Sequence, residues 1–440
     1  MSPPRPSGSP PRVRFITLGC PKNEVDSDRM AASVASSAYV LDEDLETADV
    51  AVLNTCAFVE AAAQESVDAA LALAAGWKAR RSGRLLVVAG CLPSRYGARL
   101  AAAMPEADAF VPVADEGSLL TVLERLTGAL AGAASGAQRL GCGPSAYLQV
   151  SDGCHRRCTF CTIPSIRGPY RSRALPDLLA EARLLVTRGA REIVLVGQDT
   201  SSYGRDLPAG ERAGIARTVR ELARVAGLAW LRLMYVQPDG VTDDLLEVMA
   251  AEPSVCRYLD LPLQHASRRV LRAMGRGGDA ESFLGLLARV REALPDVALR
   301  TTLIAGFPGE TERDLEELEA FLRAAALDYA GVFAYSAEEG TPAATMPGML
   351  PAEERLARAG RLNEVAAGIG FARAASRVGE TLEILAEGTD EEGVPVGRWR
   401  GQAPEVDGVI TFDAPLPAGA LARVRVTEAL GYDLLGEVGE

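Results

Sequence analysis

The 440-residue chain lacks several features that would assign it to a membrane or to export. It has no uninterrupted apolar run of about 18 residues, so no transmembrane helix is expected. Its Pro- and Ser-rich start, MSPPRPSGSPPRVR, has no apolar core, which excludes a secretory signal peptide. We therefore expect a cytoplasmic protein whose eight cysteines are reduced thiols rather than disulfides.

The chain also lacks the short motifs of several common enzyme classes. It contains no G-x-S-x-G elbow, no H-E-x-x-H motif and no Gly-Lys-Ser/Thr phosphate loop, which excludes such hydrolases, metalloproteases and triphosphatases. It shows no dense basic patch, and its net charge is −13. We therefore do not expect nucleic acid to be its primary substrate.

Three closely spaced cysteines are the most informative feature that is present. Cys154, Cys158 and Cys161 form C-x-x-x-C-x-x-C within SDGCHRRCTFCTIPSIRG. Iron prefers thiolate sulfur, and three ligands leave one iron of a four-iron cluster open. An open iron can be chelated by S-adenosylmethionine (SAM). One electron from the cluster can then cleave the sulfonium of SAM and release a carbon radical. A zinc knot or a disulfide loop is the alternative, but no matching second pair of cysteines lies nearby.

Three further cysteines end predicted strands. RVRFITLGC, DVAVLNTC and RLLVVAGC terminate in Cys20, Cys56 and Cys91, with helical stretches between them. Ligands of parallel α/β sheets bind at the carboxyl ends of strands, so we expect these thiols to meet and hold a second cluster with an open iron. Three simply buried cysteines are the alternative. Cys142 and Cys256 lack partner spacing and are interpreted as structural thiols.

Changes in pattern divide the chain into five segments. Strand–helix alternation predicts a parallel α/β domain over 12–128 and a TIM-like β/α barrel, full or partial, over 141–372. Short strands broken by Gly and Pro predict a small antiparallel β-barrel over 373–440. Residues 1–11 are predicted to be a disordered leader, and residues 129–140 a flexible linker.

Strand ends of the predicted β/α barrel carry six candidate cofactor contacts. Small and polar residues there could reach the amino acid part of a cofactor, and glycines let the backbone approach a flat ring. The six are Gly197, Gln198, Asp199, Gln264, Gly306 and Gly309. For the first three, an ordinary βα turn is an equal alternative. His265 beside Gln264 could belong to a pocket, but a lone His is more often structural. No catalytic residue is assigned.

Together these motifs resemble the radical SAM methylthiotransferase family over nearly the whole chain. The resemblance implies a three-cysteine N-terminal domain, a radical core and a C-terminal TRAM barrel. It implies two 4Fe-4S clusters, a radical-generating one on Cys154, Cys158 and Cys161 and an auxiliary one on the three strand-end cysteines. SAM would then serve as methyl donor and radical source.

Details of the motifs resemble the RimO-type branch of this family. LGCPKNEVDSD, CTFCTIPSIRG, VGQDTSSYG, YLDLPLQHAS, APEVDGVI and GYDLLG are similar to that branch, whereas His155 stands where Asn is common. The branch methylthiolates the β-carbon of an aspartate of ribosomal protein uS12, with a sulfur donor and a reductant such as flavodoxin or ferredoxin. The alternatives are methylthiolation of a tRNA adenosine, as in the MiaB-type branch, and a non-catalytic ribosome-assembly factor that carries clusters.

Negative charge is concentrated near the end of the chain. Residues 376–440 hold five Arg, no Lys and thirteen Asp or Glu, a net charge of −8 out of −13. A barrel that binds RNA needs cations to neutralise phosphates, so an acidic barrel suits a basic ribosomal protein better. A generic acidic surface is the alternative.

Overall fold

The computed structural model describes residues 9–130, 139–140 and 143–439. Most of the predicted leader (1–8), most of the predicted linker (131–138) and Cys142 lie outside the described residues. The chain forms two compact units. The first covers the described residues up to 140 together with 152–155 and 161–170, and the second covers the rest.

The first unit is built on a five-stranded parallel sheet with strand order β2-β1-β3-β4-β5. Alternate residues of β3 and β4 belong to two different apolar clusters, so helices cover both faces of the sheet. The elements are β1 (Arg12–Thr17), α1 (Pro21–Ala35), β2 (Val40–Leu41), β3 (Val50–Thr55), α2 (Glu60–Gly76), β4 (Leu85–Gly90), α3 (Cys91–Ala103), β5 (Ala109–Pro112), α4 (Leu119–Thr127) and α5 (Ile163–Arg167).

The second unit begins with two three-stranded parallel sheets, β10-β9-β6 and β11-β12-β13. One apolar cluster contains residues of all six strands, so they enclose a common core as a partial β/α barrel. The elements are β6 (Ser145–Gln149), β7 (Ser151–Asp152), β8 (Arg171–Ser172), α6 (Leu175–Thr187), β9 (Glu192–Val196), α7 (Ile215–Ala223), β10 (Trp230–Leu233), α8 (Asp243–Ala251), β11 (Tyr258–Gln264), α9 (Arg268–Ala273), α10 (Ala280–Ala293), β12 (Ala298–Ala305), α11 (Glu312–Ala325), β13 (Tyr329–Ala334) and α12 (Ala352–Ala375).

A closed five-stranded barrel, in the order β14-β15-β16-β18-β17, ends the second unit. All its pairings are antiparallel except that of β16 with β18, which is parallel. The strands are β14 (Thr381–Thr389), β15 (Pro395–Trp399), β16 (Ile410–Phe412), β17 (Leu421–Leu430) and β18 (Asp433–Val438). The predicted fold class is therefore confirmed, while the segment boundaries stay predictions.

Local sequence signals explain where several helices begin. Pro21 occupies the first turn of α1, where its missing N–H costs no hydrogen bond. Asp279 and Thr311 form capping boxes at the starts of α10 and α11. Among the described residues, no helix combines the length and the apolar character that crossing a membrane would require.

Buried ion pairs attach the small barrel to the amino-terminal ends of the parallel strands. Arg398 of β15 donates to Glu192, the first residue of β9, at 2.5 Å, and Arg232 of β10 donates to the same carboxylate at 2.8 Å. All three side chains are fully buried. A second link joins Tyr258, the first residue of β11, to Asp407 at 2.5 Å. The barrel is therefore part of the packing of the β/α sheets.

Replacing Arg398 with Met should destabilise the second unit by about 3–5 kcal/mol, because Glu192 stays buried with only one cationic partner. The measurement is the free energy of unfolding in urea, followed by circular dichroism. Arg423→Met is the matched control, since Arg423 lies exposed on β17 of the same barrel. It should change the free energy by no more than about 0.5 kcal/mol. Equal losses in the two variants would contradict the role of the pair.

The same ion pair should show an acid dependence. Burial raises the pKa of Glu192, but Arg398 and Arg232 outweigh burial and lower it from 4.5 to about 2. A lowered carboxyl pKa stabilises the folded state above the unfolded-state value, and this contribution is lost as the pH falls through the folded-state value. The stability difference between wild type and Arg398→Met should therefore shrink between pH 4.5 and about 2. A stability difference that stays constant over this pH range would contradict the predicted role of the ion pair.

Candidate metal centres and cofactor site

The strand-end cysteines of the first unit lie at the carboxyl ends of three adjacent parallel strands, β1, β3 and β4. Cys20 caps α1 shortly after β1, and Cys56 directly follows β3. Cys91 directly follows β4 and is the first residue of α3. Because parallel strands deliver their carboxyl ends to one edge of a sheet, all three thiols are brought to the same edge.

Close packing at this edge brings the thiols within electrostatic reach of one another. Gly19 has a φ of 108°, and the Cβ that it lacks would lie 2.6 Å from Cys56 Cβ. Only glycine therefore lets the turn that carries Cys20 approach Cys56 so closely. Burial, with added repulsion from Cys56 and Cys20, raises the pKa of Cys91 to about 11.

Two buried asparagines hold this turn in place. Asn23 Nδ2 donates to the carbonyl of Thr55 at 2.9 Å, and Asn54 Nδ2 donates to the carbonyl of Asn23 at 2.9 Å. Cys20 Sγ in turn donates to Asn23 Oδ1 at 3.2 Å. After β3, the hydroxyl of Ser66 on α2 donates to the carbonyl of Cys56 at 2.7 Å. These bonds orient the cysteine side chains, and none of them joins one thiol to another.

One buried guanidinium faces the same group of thiols. Arg167 binds Asp26 at 2.8 Å and Asp152 at 3.3 Å, and its Nη2 lies 3.7 Å from Cys91 Sγ. Its charge acts to lower the pKa of Cys91 and of Cys56, although burial leaves both raised. The cation therefore partly offsets the effect of burial on these thiols and would help to balance an anionic centre held by them.

The strand-end thiols have the donor chemistry that an iron–sulfur cluster requires. Among the described residues, no three His, Cys, Asp or Glu side chains are close enough to ligate one metal ion together. A four-iron cluster needs a wider spacing, because each thiolate binds a different iron. A donor set of thiols alone, with a buried cation beside it, matches that chemistry.

Residues of the C-x-x-x-C-x-x-C loop belong to both units. In the first unit, which contains Cys154 and Cys161, the N–H of Cys154 donates to the carbonyl of Gly168 at 3.2 Å. In the second unit, which contains Cys158, Thr159 N–H donates to the carbonyl of Met274 at 3.0 Å. The segment after α9 therefore supports the loop at Cys158.

A glycine and an arginine complete this support. The Cβ that Gly275 lacks would lie 2.6 Å from the carbonyl oxygen of Arg157, so only glycine fits there. Arg276 Nη1 lies 3.7 Å from Cys158 Sγ, and its Nη2 donates to the carbonyl of Pro262 at 2.9 Å. Cys158 thus has an N–H donor next to its sulfur, one of the features that sets cluster potentials.

All six candidate cofactor contacts lie in the second unit, at or just beyond the carboxyl ends of strands. Residues 197–199 directly follow β9, Gln264 is the last residue of β11, and Gly306 directly follows β12, with Gly309 in the same loop. Gly197 packs against Ser151, whose Oγ would lie 2.7 Å from an added Cβ. Their role as cofactor contacts stays a prediction.

Asp199 holds an arginine at this edge. Its carboxylate accepts hydrogen bonds from the Ser201 hydroxyl at 2.5 Å, the Ser202 hydroxyl at 2.7 Å and Arg156 Nε at 2.7 Å. Burial raises the pKa of Asp199, but these bonds outweigh burial and lower it, so the carboxylate is charged. Arg156 also binds Asp239 at 2.8 Å.

The residue next to Gln264 is structural. His265 is fully buried, and its Nδ1 accepts the N–H groups of Ala266 and Ser267, each at 2.9 Å. Nε2 then carries the proton and lies 3.3 Å from Glu310. Gln264 itself has a φ of 72°, at a point where the register of β11 shifts. The ring nitrogens of His265 are therefore occupied by the protein.

The two candidate glycines differ in their surroundings. Gly306 N–H donates to Glu310 at 2.9 Å, and the Cβ that Gly306 lacks would lie 2.6 Å from Arg355 Cγ. The nearest atoms to an added Cβ at Gly309 are 3.9 Å away. The close approach at Gly306 is thus made by an arginine stem, whereas Gly309 keeps open space beside it.

Three arginines near the cysteines were missed by sequence reasoning. Arg156 lies inside the cysteine spacing, Arg167 follows it, and Arg276 is more than a hundred residues away along the chain, 118 from Cys158. Nothing in the local sequence distinguishes them from the chain's other arginines. Their contacts with carboxylates and sulfur became visible only in the fold.

Three family models match separate parts of the chain. Residues 12–112 match the uncharacterized protein family UPF0004, residues 148–322 the radical SAM superfamily, and residues 378–438 the TRAM domain. A relative from Symbiobacterium thermophilum named ribosomal protein uS12 methylthiotransferase RimO is 46% identical, over 99% of this chain and 92% of the relative. A relative of that name from Geobacter sulfurreducens is 41% identical, over 98% of this chain and 99% of the relative.

The chain belongs to the RimO-type radical SAM methylthiotransferase family. The resemblance predicted from its motifs is thereby confirmed. As a member of this family of enzymes it is assigned an iron–sulfur cluster and SAM as cofactors.

Solved structures agree with the fold of a RimO-type enzyme. The radical SAM methyltransferase TsrM from Kitasatospora setae matches 76% of this chain and 74% of its own, with a TM-score of 0.56 and 14% identity. The cobalamin-dependent SAM radical enzyme OxsB matches 81% of this chain and 56% of its own, with a TM-score of 0.51 and 12% identity. At such low identity these likenesses concern the fold alone.

Gly19→Ala should weaken metal binding by the first unit, because the added Cβ collides with Cys56 and displaces the turn that carries Cys20. Gly83→Ala is the matched control. Gly83 also has a positive φ, 87°, but an added Cβ there meets nothing within 4 Å. Both variants should lose about 1 kcal/mol or more of stability through backbone strain. Only Gly19→Ala should bind less iron and sulfide after anaerobic reconstitution, and equal iron content in both would contradict the packing argument.

Proposed function

We propose that this protein replaces a C–H bond on the β-carbon of an aspartate of ribosomal protein uS12 with a C–SCH₃ group. The observation that carries the proposal is the match with RimO relatives over 98–99% of the chain, together with three thiols placed at one edge of a parallel sheet. An unactivated C–H bond has no acidic proton, so acid–base side chains alone cannot open it.

We propose two 4Fe-4S clusters, of which the second goes beyond what family membership assigns. Cys154, Cys158 and Cys161 would hold one, and the strand-end cysteines of the first unit would hold the other. When bound, the clusters and SAM would supply one-electron cleavage of SAM and a methylated sulfur. Arg167 would balance the charge at the strand-end thiols, and the asparagine network would keep them oriented.

The proposed SAM site lies at the carboxyl ends of β9, β11 and β12. Gly197, Gln198, Gln264, Gly306 and Gly309 would surround the cofactor, with Gly309 leaving room for close approach. Asp199 would be a further cofactor contact at the same edge, while its carboxylate holds Arg156. The reductant would be a flavodoxin or a ferredoxin. Because the proposed substrate is a ribosomal protein, the reaction would take place in the cytoplasm.

The surface of the small barrel supports a basic protein substrate over tRNA. Only two arginines of the barrel, Arg423 and Arg425, are exposed, whereas Arg398 is fully buried. RNA phosphates would meet a negative surface, while a basic protein would be attracted to it. The exposed acidic residues are Glu380, Glu383, Asp390, Glu391, Glu392, Glu405, Asp413, Glu428, Asp433 and Glu437.

Mass spectrometry of uS12 tests the proposed reaction. Cells with the wild-type gene should carry one added SCH₂ on an aspartate peptide of uS12, and cells without the gene should not. The purified wild-type protein should bind about eight irons at four per cluster. A Cys154→Ala, Cys158→Ala, Cys161→Ala variant should keep about half of this iron and release no 5′-deoxyadenosine from SAM.

The second set of cysteines provides the control for this experiment. A Cys20→Ala, Cys56→Ala, Cys91→Ala variant should still cleave SAM but leave uS12 unmodified. A methylthio group on a tRNA adenosine, with uS12 unchanged, would favour the tRNA reaction instead. If no variant or wild-type sample released 5′-deoxyadenosine under reducing conditions, a non-catalytic role would replace the enzymatic one.

Charge reversal on the barrel should slow the encounter with uS12. Glu391 and Glu392 are exposed in the β14–β15 hairpin, whereas Asp390 accepts the N–H of Val394 at 2.8 Å and is left intact because it shapes the turn. The Glu391→Lys, Glu392→Lys variant should associate several-fold more slowly, most strongly at low salt. Surface plasmon resonance at two salt concentrations measures this.

A charge-matched variant elsewhere is the control for that measurement. Glu316→Lys, Glu317→Lys makes the same change on the exposed face of α11, outside the barrel, and should leave the association rate near that of wild type. Deleting the barrel is a poorer test, because it would uncover the buried Glu192. Equal slowing in both variants would reduce the barrel's role to a general effect of net charge.

A further inference from the structure

A cleft rich in arginines opens in the second unit beside Cys158. Its volume is about 610 Å³, and its lining includes Cys158 itself together with residues of the loops after β10 and α9 and of α10. The charged residues that line it are Arg156, Arg157, Asp239, Arg276 and Arg289. A chain with a net charge of −13 thus places four cations around one cluster-binding cysteine.

Two of these arginines are compensated and two are not. Arg156 binds Asp239 and Asp199, and Arg289 lies 3.3 Å from Asp243. In the part of the chain that the structure describes, no carboxylate forms an ion pair with the two others, Arg157 and Arg276. Arg157 is exposed, and Arg276 points one guanidinium nitrogen at Cys158 Sγ from 3.7 Å. The cleft therefore carries uncompensated positive charge.

The shape of the cleft leaves the cysteine approachable. The segment after α9, residues 275–278, contains three glycines, and Gly277 and Gly278 are exposed. Side chains that would screen Cys158 are thus missing on that side, and Cys158 is itself only partly buried. A partner surface seated on the cleft would come close to the sulfur that holds the cluster.

We propose that this cleft is the docking site of an acidic one-electron donor protein, an inference that rests on the proposed function. A reduced donor seated there would pass one electron to the cluster and be oxidised by one electron itself. Carboxylates on the donor would pair with Arg157 and Arg276. Complexes that transfer electrons are typically small and electrostatic, which matches a charged cleft of this size.

The two other candidate occupants fit less well. The basic substrate proposed above would be repelled by the arginines and attracted to the acidic barrel. An RNA would be attracted by the same cations, but binding its phosphates would not require a cysteine that ligates a cluster, such as Cys158, in the lining of the cleft. The presence of Cys158 among the cations therefore favours a redox partner.

The test compares two charge-reversal variants of the full, cluster-loaded enzyme. Arg157→Glu alters the cleft, and Arg217→Glu makes the same change at an exposed position on α7. Reduced flavodoxin, an acidic carrier, is mixed with each protein in a stopped-flow instrument, and cluster bleaching is followed. At low salt, Arg157→Glu should be reduced about tenfold more slowly than wild type, and Arg217→Glu at the wild-type rate.

Two further measurements separate docking from chemistry. Dithionite, a small reductant that needs no docking, should reduce both variants within about twofold of wild type, because two charges act only weakly on a screened ion. The affinity for flavodoxin, measured by biolayer interferometry on protein without clusters, should fall for Arg157→Glu and lose its salt dependence. This second readout does not depend on catalytic activity.

Wild-type flavodoxin rates and affinity in Arg157→Glu, with dithionite reduction intact, would overturn the docking site and leave the proposed function standing. If dithionite reduced no cluster in the wild type, the proposed function would fail and the inference with it. If Arg157→Glu weakened binding of a tRNA while flavodoxin kinetics stayed unchanged, the cleft would be an RNA contact and the inference would be wrong.

Discussion

The carboxyl ends of parallel strands are the constraint on which both units depend. A parallel sheet delivers these ends, and the loops that follow them, to a single edge, so residues far apart in the chain meet there. In the first unit this places Cys20, Cys56 and Cys91 together. In the second it aligns the loops after β9, β11 and β12. The proposed chemistry therefore needs only short motifs, because the pairing of parallel strands brings these motifs together in space.

The opposite ends of the strands in the second unit serve a different purpose. There the small barrel is fastened by buried charges, with Glu192 between Arg398 and Arg232 and with Asp407 between Tyr258 and Arg300. Buried ion pairs add little net stability compared with apolar packing, but a mismatched partner is strongly penalised. Such pairs therefore specify one position of the barrel on the sheets. The strand ends that carry the candidate cofactor contacts lie at the other edge of the sheets and take no part in these ion pairs.

Opposite charges are separated on the surface of the second unit. The barrel exposes mostly carboxylates, whereas the cleft at Cys158 is lined by arginines. A net charge of −13 describes neither surface. Two partners of opposite charge, a basic substrate and an acidic reductant, could then be attracted to different places without competing. Charge complementarity acts mainly on encounter rate and orientation. This separation would therefore mainly guide each partner to its own surface and would add less to binding affinity.

The sequence by itself determined the cysteine sets, the strand–helix alternation, the small barrel and the family, because spacing and hydrophobic period are local properties of a chain. It could not identify the arginines that form buried ion pairs or lie beside the cysteines. Arg398 and Glu192 are 206 residues apart, and Arg167 and Cys91 are 76 apart. In the sequence these arginines resemble all the others. Which long side chain meets which buried charge depends on where the folded chain returns, and only the tertiary structure decides that.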